Sequence, residues 1–375
     1  MSRELRCRRA RNRCCPGSHI ERPTASHVRR LAAGHSPVLL MMQTTLVGGA
    51  RAMTVVSPLP HAMRPVISGR VGNIEVIPLP GVMGAEIRGL DLRRLDDHSF
   101  RILHRAYLDH LLVLLRGQQL RDGDMVAVAR RFGEFELPPV TAEQVAHRGT
   151  HPEITVVSNV RVNDAPIGEL GDGEVIWHSD YSFREIIAGM RMLHALEVPP
   201  AGEGANTEFR NMYATYDALP DVLKRRIHGA TIKHDTAYDT NRRLRRGALP
   251  VADPRLGDGP DHPIVSTHPD TGCNSLFLGR RPRHYVNGCT LDESEALLDA
   301  LWAHATQPRF GFAHAWRQGD VVLWDNRCTI HRRGAFNPAA RRIMHATQVK
   351  GHKPFAAADA ASRPPHPRAC LHGNG

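Results

Sequence analysis

Cysteine is scarce, and the little there is shows no pattern. Seven cysteines stand in 375 residues: Cys7, Cys14 and Cys15 lie near the N-terminus, and Cys273, Cys289, Cys328 and Cys370 are scattered through the rest without a CxxC pair. That excludes a disulfide framework and a cysteine zinc site, and it suits a reducing compartment, so a cytoplasmic location is expected. Long apolar runs are missing too. The stretch from Pro37 to Met42 is far too short to cross a bilayer, so no membrane partner is expected. There is no internal repeat, no low-complexity body and no βαβ alternation opening on a glycine-rich turn, which argues against a doubly wound fold.

Acidic residues are scarce at one end only. Residues 1–53 hold ten arginines, no lysine and two acids, Glu4 and Glu21, so this leader carries +8 of the chain's formal +11. The remainder is close to balanced and gives no reason to invoke nucleic acid. The leader's composition matches an Arg-rich transit segment, a disordered extension or an over-extended start with Met53 or Met63 as initiator, of which the latter two are the simpler expectations. We expect residues 1–65 to be a disordered extension, 66–355 the folded domain and 356–375 a frayed tail.

Between those ends the chain is ordinary globular material, 41% hydrophobic, with short strand-like runs separated by helices. Glu75–Leu79 reads as a strand. Phe100, Leu103, Tyr107 and Leu111 recur at helical spacing and run into the apolar strand Leu111–Leu115. A second helix is expected with Asp122 as N-cap, residues 211–228 read as helix interrupted near Pro220, and Thr290 with Glu293 forms a capping box before Leu297, Leu298 and Leu301. Further strands are expected at 153–158, 174–178, 186–196, 262–268, 274–278 and 320–324. The expected fold class is mainly β, a sandwich or barrel decorated by helices.

The chemistry concentrates in Trp177-His178-Ser179-Asp180. On a strand, residues two apart share a face, so His178 and Asp180 would present an imidazole nitrogen and a carboxylate oxygen side by side. Far downstream, the run Gly319–Asn326 reads as a strand entering a turn, followed by His331. Two histidines and one carboxylate on one face of an octahedral metal form the facial triad of non-haem Fe(II) oxygenases and leave coordination positions open. An HxD pair is weak evidence by itself in a chain with 23 histidines. Arg342 strengthens it, since a guanidinium on a strand after the distal histidine can grip a dicarboxylate with two parallel hydrogen bonds.

Four motifs in order, WHSD at 177–180, NTEF at 206–209, WDNRCTIH at 324–331 and ARRIMH at 340–345, carry a resemblance to the TauD/TfdA (taurine and chlorophenoxyacetate) dioxygenase family over about Asn73 to Lys353. The resemblance implies a double-stranded β-helix, or jelly-roll, core with helices outside. It implies His178, Asp180 and His331 as Fe(II) ligands, with Thr207 and Arg342 holding the far carboxylate of 2-oxoglutarate. Asp325 and Asn326 would orient the ligands from the turn before His331. The implied reaction consumes O2 and 2-oxoglutarate, releases succinate and CO2, and hydroxylates a small organic molecule, with collapse to cleave a C–S, C–O or C–N bond where the new hydroxyl shares its carbon with a heteroatom. Relatives are commonly dimers or tetramers, so a homo-oligomer is expected.

Two positions depart from the family pattern. Ala346 stands where a second arginine usually meets the substrate's acidic group, so a sulfonate such as taurine loses its expected anchor. Asn206 replaces a usual aspartate. Arg332 and Arg333 are candidates to compensate for Ala346, and Glu174 is a surface acid or a pocket wall. The pocket loops are expected at 136–145, 159–174 and 235–262. Two rival readings use the same residues: a zinc hydrolase on the triad, which would need neither Thr207 nor Arg342, and a jelly-roll binding protein that has lost activity.

Overall fold

The computed structural model describes residues 66–137 and 151–357. The leader, residues 138–145 of the first pocket loop and the tail beyond 357 lie outside the described residues. Two sheets face one another. The major sheet runs, in spatial order, Gly69–Val71, Ile74–Pro78, Ala85–Arg88, Leu112–Leu115, Val321–Asp325, Ala188–Glu197, Ile343–Lys350, Thr155–Ser158 and Glu169–Leu170. The minor sheet runs Gly311–His314, Thr207–Asn211, Thr329–Arg333 and Val175–His178, all antiparallel. Past the first four strands of the major sheet, which are consecutive, the central strands of both sheets have neighbours far apart in sequence, as the expected jelly-roll core requires.

Alternation along the strands decides what lies between the sheets. Leu193, Val322, Trp324, Met344 and Ala346 from the major sheet pack with Phe209 and Tyr213 in one buried cluster. The opposite phase of the same strands, Met190, Met192, Val321 and Leu323, is covered by Leu103, Tyr107, Met125 and Val128 of the helices Asp97–His110 and Asp122–Arg130. Ile330, on the outer face of the minor sheet, packs with Leu298, Leu301 and Trp302 of the helix Leu291–Ala305. Each fully buried large apolar side chain contributes roughly 1.5–3 kcal/mol, so these three clusters fix which face of every strand looks inward.

The capping signals explain where helices begin. Thr290 Oγ1 accepts from Glu293 N–H while Glu293 accepts from Thr290 N–H at 2.9 Å, the reciprocal box read from the sequence. Asp96 caps the Asp97–His110 helix through Ser99 N–H at 2.7 Å.

Four expectations need correction. Asp122 is the first helical residue, not the cap, because its carboxylate is taken by His345 Nδ1 at 2.6 Å, while Asp124 accepts from Arg121 N–H. Pro220 precedes the helix Asp221–Ile227, separating it from Met212–Asp217. Leu111 belongs to neither the helix nor the following strand: at φ 65° it closes the helix through an N–H to Tyr107 O, its side chain buried in the inner cluster. The single strand read at 262–268 is two, Asp261–Pro263 and Val265–Thr267, which pair with different partners.

Candidate metal and co-substrate site

The strand carrying the first histidine stops at His178; Ser179 and Asp180 turn away from it, and Tyr181 sits at φ 53°. Asp180 therefore meets His178 through a turn, not through strand alternation as expected. Asn326 holds that turn. Its side-chain oxygen accepts from Asp180 N–H at 3.3 Å, and its backbone carbonyl accepts from Ser179 Oγ at 2.7 Å. Asn326 is itself fixed by Trp324 Nε1–H and by donation to Gly189 O.

His331 is not a loop histidine. It lies in the strand Thr329–Arg333, directly opposite His178 in the sheet register, with the two ring centroids 4.1 Å apart. His178 Nε2 is 3.4 Å and His331 Nε2 3.9 Å from the Asp180 carboxylate, and one ligand-type atom from each residue falls within 4.8 Å of the others. Ile176 O accepts from His178 Nδ1 at 2.8 Å, which fixes the tautomer and leaves Nε2 with its lone pair exposed to the triad. Phe209 stacks on His331 and Trp324 meets it edge-on, so the ring is walled by apolar surface.

Electrostatics keep these groups in their ligand forms. Burial, then the neighbouring His178, push His331 well below the ordinary histidine range, so it is neutral. Burial raises Asp180, but Arg191, His331 and His178 outweigh it and hold the carboxyl well below the usual range. Asp180 Oδ2 is buried without a hydrogen-bond partner, with Arg191 Nε 3.7 Å away. A charged oxygen left open beside two imidazoles fits a divalent cation.

Arg191 was missed in the sequence, although a lone charge inside the run AGMRMLHALE was visible. It shares the inward phase of Leu193 and donates to Gln348 Oε1 at 2.8 Å.

Thr207 and Arg342 are buried on inward-facing positions of the two sheets. Thr207 is buried on the inner face of the minor sheet, two residues from Phe209, and Trp316 Nε1–H donates to its hydroxyl at 2.9 Å. That bond uses an oxygen lone pair and leaves the hydroxyl proton free to donate. Arg342 is the residue before the strand Ile343–Lys350, not within it, and continues the inward phase of Met344 and Ala346. It is 2% exposed, yet its Nε and Nη1 have no partner.

The remaining candidates separate cleanly. Glu174 is exposed, 4.0 Å from Arg242, and Asn206 is exposed. Arg332 points outward to Glu208 at 2.7 Å and over Trp177, which Arg210 also covers, whereas Arg333 points inward. Asp325 does not face the triad. It is buried against Arg327 and His268.

The family described as "Taurine catabolism dioxygenase TauD, TfdA family" matches residues 75–348. Pentalenolactone F synthase of Streptomyces arenae is 34% identical over 293 residues, covering 72% of this chain and 93% of that protein. The alpha-ketoglutarate-dependent 2,4-dichlorophenoxyacetate dioxygenase of Burkholderia sp. (strain RASC) is 32% identical over 301 residues, covering 76% and 92%. Among solved structures, AAD-2 in complex with Mn(II) and N-oxalylglycine superposes with a TM-score of 0.61 at 30% identity, covering 75% of this chain and 98% of that one. A taurine dioxygenase from Burkholderia xenovorans gives a TM-score of 0.60 at 29% identity, covering 77% and 94%. With the strand order, the buried triad and these similarities in agreement, the chain belongs to the TauD/TfdA family and is a non-haem, 2-oxoglutarate-dependent dioxygenase.

Proposed function

We propose that His178, Asp180 and His331 hold Fe(II), that Thr207 and Arg342 hold the far carboxylate of 2-oxoglutarate, and that the enzyme hydroxylates a small organic molecule with release of succinate and CO2. The observation that carries this reading is the meeting of three ligand atoms within 4.8 Å, together with a buried Arg342 whose Nε and Nη1 have no partner among the described residues. Bound Fe(II) supplies the activation of O2 that is coupled to oxidative decarboxylation of the co-substrate.

The chain's own residues do the rest. The His178 and His331 imidazoles offer ring nitrogens, the first aimed by Ile176 O. Asn326 keeps the Asp180 turn in place, and Arg191 offsets the carboxylate charge from the inner face of the major sheet. Phe209 and Trp324 exclude water from the His331 side, which strengthens every electrostatic contact there. The free hydroxyl proton of Thr207 and the open edge of Arg342 bind and orient the co-substrate. Ala346 is buried in the inner cluster and offers an anionic substrate no charge, so a sulfonate would lack the family's usual anchor.

The folded catalytic unit spans 66–355, acts in the cytosol and assembles as a homodimer or homotetramer. Support for the compartment comes from Cys289 and Cys328, neither of which forms a disulfide among the described residues. Light scattering on the purified chain tests the assembly, and a monomer at micromolar concentration would contradict it. A zinc hydrolase on the same triad would leave Arg342 buried without purpose. Purified protein given Fe(II), ascorbate and 2-oxoglutarate should form succinate, and unchanged succinate formation in His178→Ala would sink the ligand assignment.

A further inference from the structure

Arg333 is as buried as the residues of the site, at 5% exposure, and no motif assigned it a role. It stands two residues after His331 on one strand and opposite Thr207 in the register of the next, so all three side chains share the inner face of the minor sheet. Its Nη2 donates to Leu170 O at 3.0 Å and Gly173 O at 2.6 Å, which anchors one end of the guanidinium to the 169–174 segment. Its Nε and Nη1 are buried without partners, the same two atoms left open on Arg342.

Both arginines project into the interior, Arg333 from the inner face of the minor sheet and Arg342 in the inward phase of Met344 and Ala346 on the major sheet. Burial, then the charge of Arg333, push Arg342 down to about 9, and burial likewise pushes Arg333 down to about 10 against the opposing pull of Asp172. Among the described residues neither arginine makes an ion pair within 4.0 Å. Arginine stays charged in proteins. Two adjacent buried cations with four open nitrogens are therefore a site built for an anion. A carboxylate presents about four lone-pair directions, enough for two guanidinium edges and one hydroxyl.

We propose that Arg333 is a second guanidinium for the far carboxylate of 2-oxoglutarate, closing with Arg342 a two-arginine clamp over the Thr207 hydroxyl. This rests on the co-substrate reading above and extends it. Arg333 thus restores at the co-substrate end a positive charge that Ala346 removes from the inner face. Because its other edge holds the Leu170 and Gly173 carbonyls, the clamp also ties the 169–174 wall to the bound oxo acid.

Calorimetric titration of Mn(II)-loaded protein tests this without turnover. The probes are 2-oxoglutarate and 2-oxobutyrate, which keeps the chelating end but lacks the far carboxylate. Arg333→Gln should weaken 2-oxoglutarate about 10- to 100-fold, the loss of charge-assisted hydrogen bonds, and leave 2-oxobutyrate within about twofold of wild type. Wild-type affinity for 2-oxoglutarate in that variant, or equal weakening of both probes, overturns the clamp. If Arg333→Gln does not fold, Arg333→Lys decides. It keeps the charge but not the planar fork, so binding about fivefold weaker or more supports the proposal and wild-type binding overturns it. Wild-type protein that binds 2-oxobutyrate but gains nothing from the far carboxylate would instead overturn the co-substrate reading itself.

Discussion

Among the described residues, two clusters have the side chains of a metal site: His178, Asp180 and His331, and His268, Asp325 and Cys328. They differ in what is left over. In the second, Asp325 accepts from Arg327 through both oxygens, at 2.8 and 2.7 Å, and from His268 Nε2 at 3.0 Å. Burial pushes the Cys328 thiol well up. In the first, Asp180 Oδ2 is buried with no hydrogen-bond partner among the described residues. Residue type nominates a metal site; unsatisfied polar atoms distinguish one that needs an ion from one that already holds itself together.

The largest effect that sharpens this contrast is catalytic. Asp180→Ala should lower succinate formation by roughly three orders of magnitude or more while the fold survives, as circular dichroism would report. A variant with near-normal turnover would erase the distinction.

Next comes stability. Asp325→Asn leaves Arg327 and His268 around a neutral amide and should cost about 3–5 kcal/mol in urea unfolding, whereas metal-free Asp180→Asn should change stability by no more than about 1 kcal/mol. The Asp325 contribution can also be read through its pH dependence. Burial raises the Asp325 carboxyl, but the Arg327 charge and His268 outweigh it and hold it well below the usual range. A depressed carboxyl stabilises fully above its unfolded pKa, about 3.9, and that stabilisation is lost as pH falls through the folded value. Wild type should therefore lose stability below about pH 4 more steeply than Asp325→Asn, read by urea midpoints across that range.

A third, smaller effect is linkage. At a hundredfold excess over its Kd, Mn(II) should stabilise chelator-treated wild type by about 2.7 kcal/mol, seen as a raised Tm, and should leave the Tm of His178→Ala unchanged. Smallest is Trp316→Phe, which frees the Thr207 hydroxyl from its orienting donor. About 1 kcal/mol, or fivefold, should be lost in 2-oxoglutarate affinity with no change in metal binding, measured by titration.

What could be read from the sequence was what depends on short-range pattern. The capping box at Thr290, the helix stripe at Phe100, Leu103 and Tyr107, and the order of the four motifs are local, and the fold class followed from them. Misreadings arose where tertiary demands override local preference. Strand alternation placed Asp180 on the wrong element, because the chain leaves the sheet at His178 and Asn326, 146 residues away, fixes the turn. Asp122 looked like a cap until His345, 223 residues away, claimed its carboxylate. Arg191 went unassigned, and Arg333 could not be told from Arg332 as a candidate, because their meaning lies in which sheet face they occupy and in what they lack, and neither is written in spacing.

The most direct measurement is anaerobic titration of Fe(II)-loaded protein with 2-oxoglutarate, followed by visible absorption. A weak charge-transfer band that saturates with the oxo acid, and that is absent in Asp180→Ala, is the predicted result. Iron binding with no such band at saturating 2-oxoglutarate would contradict the account.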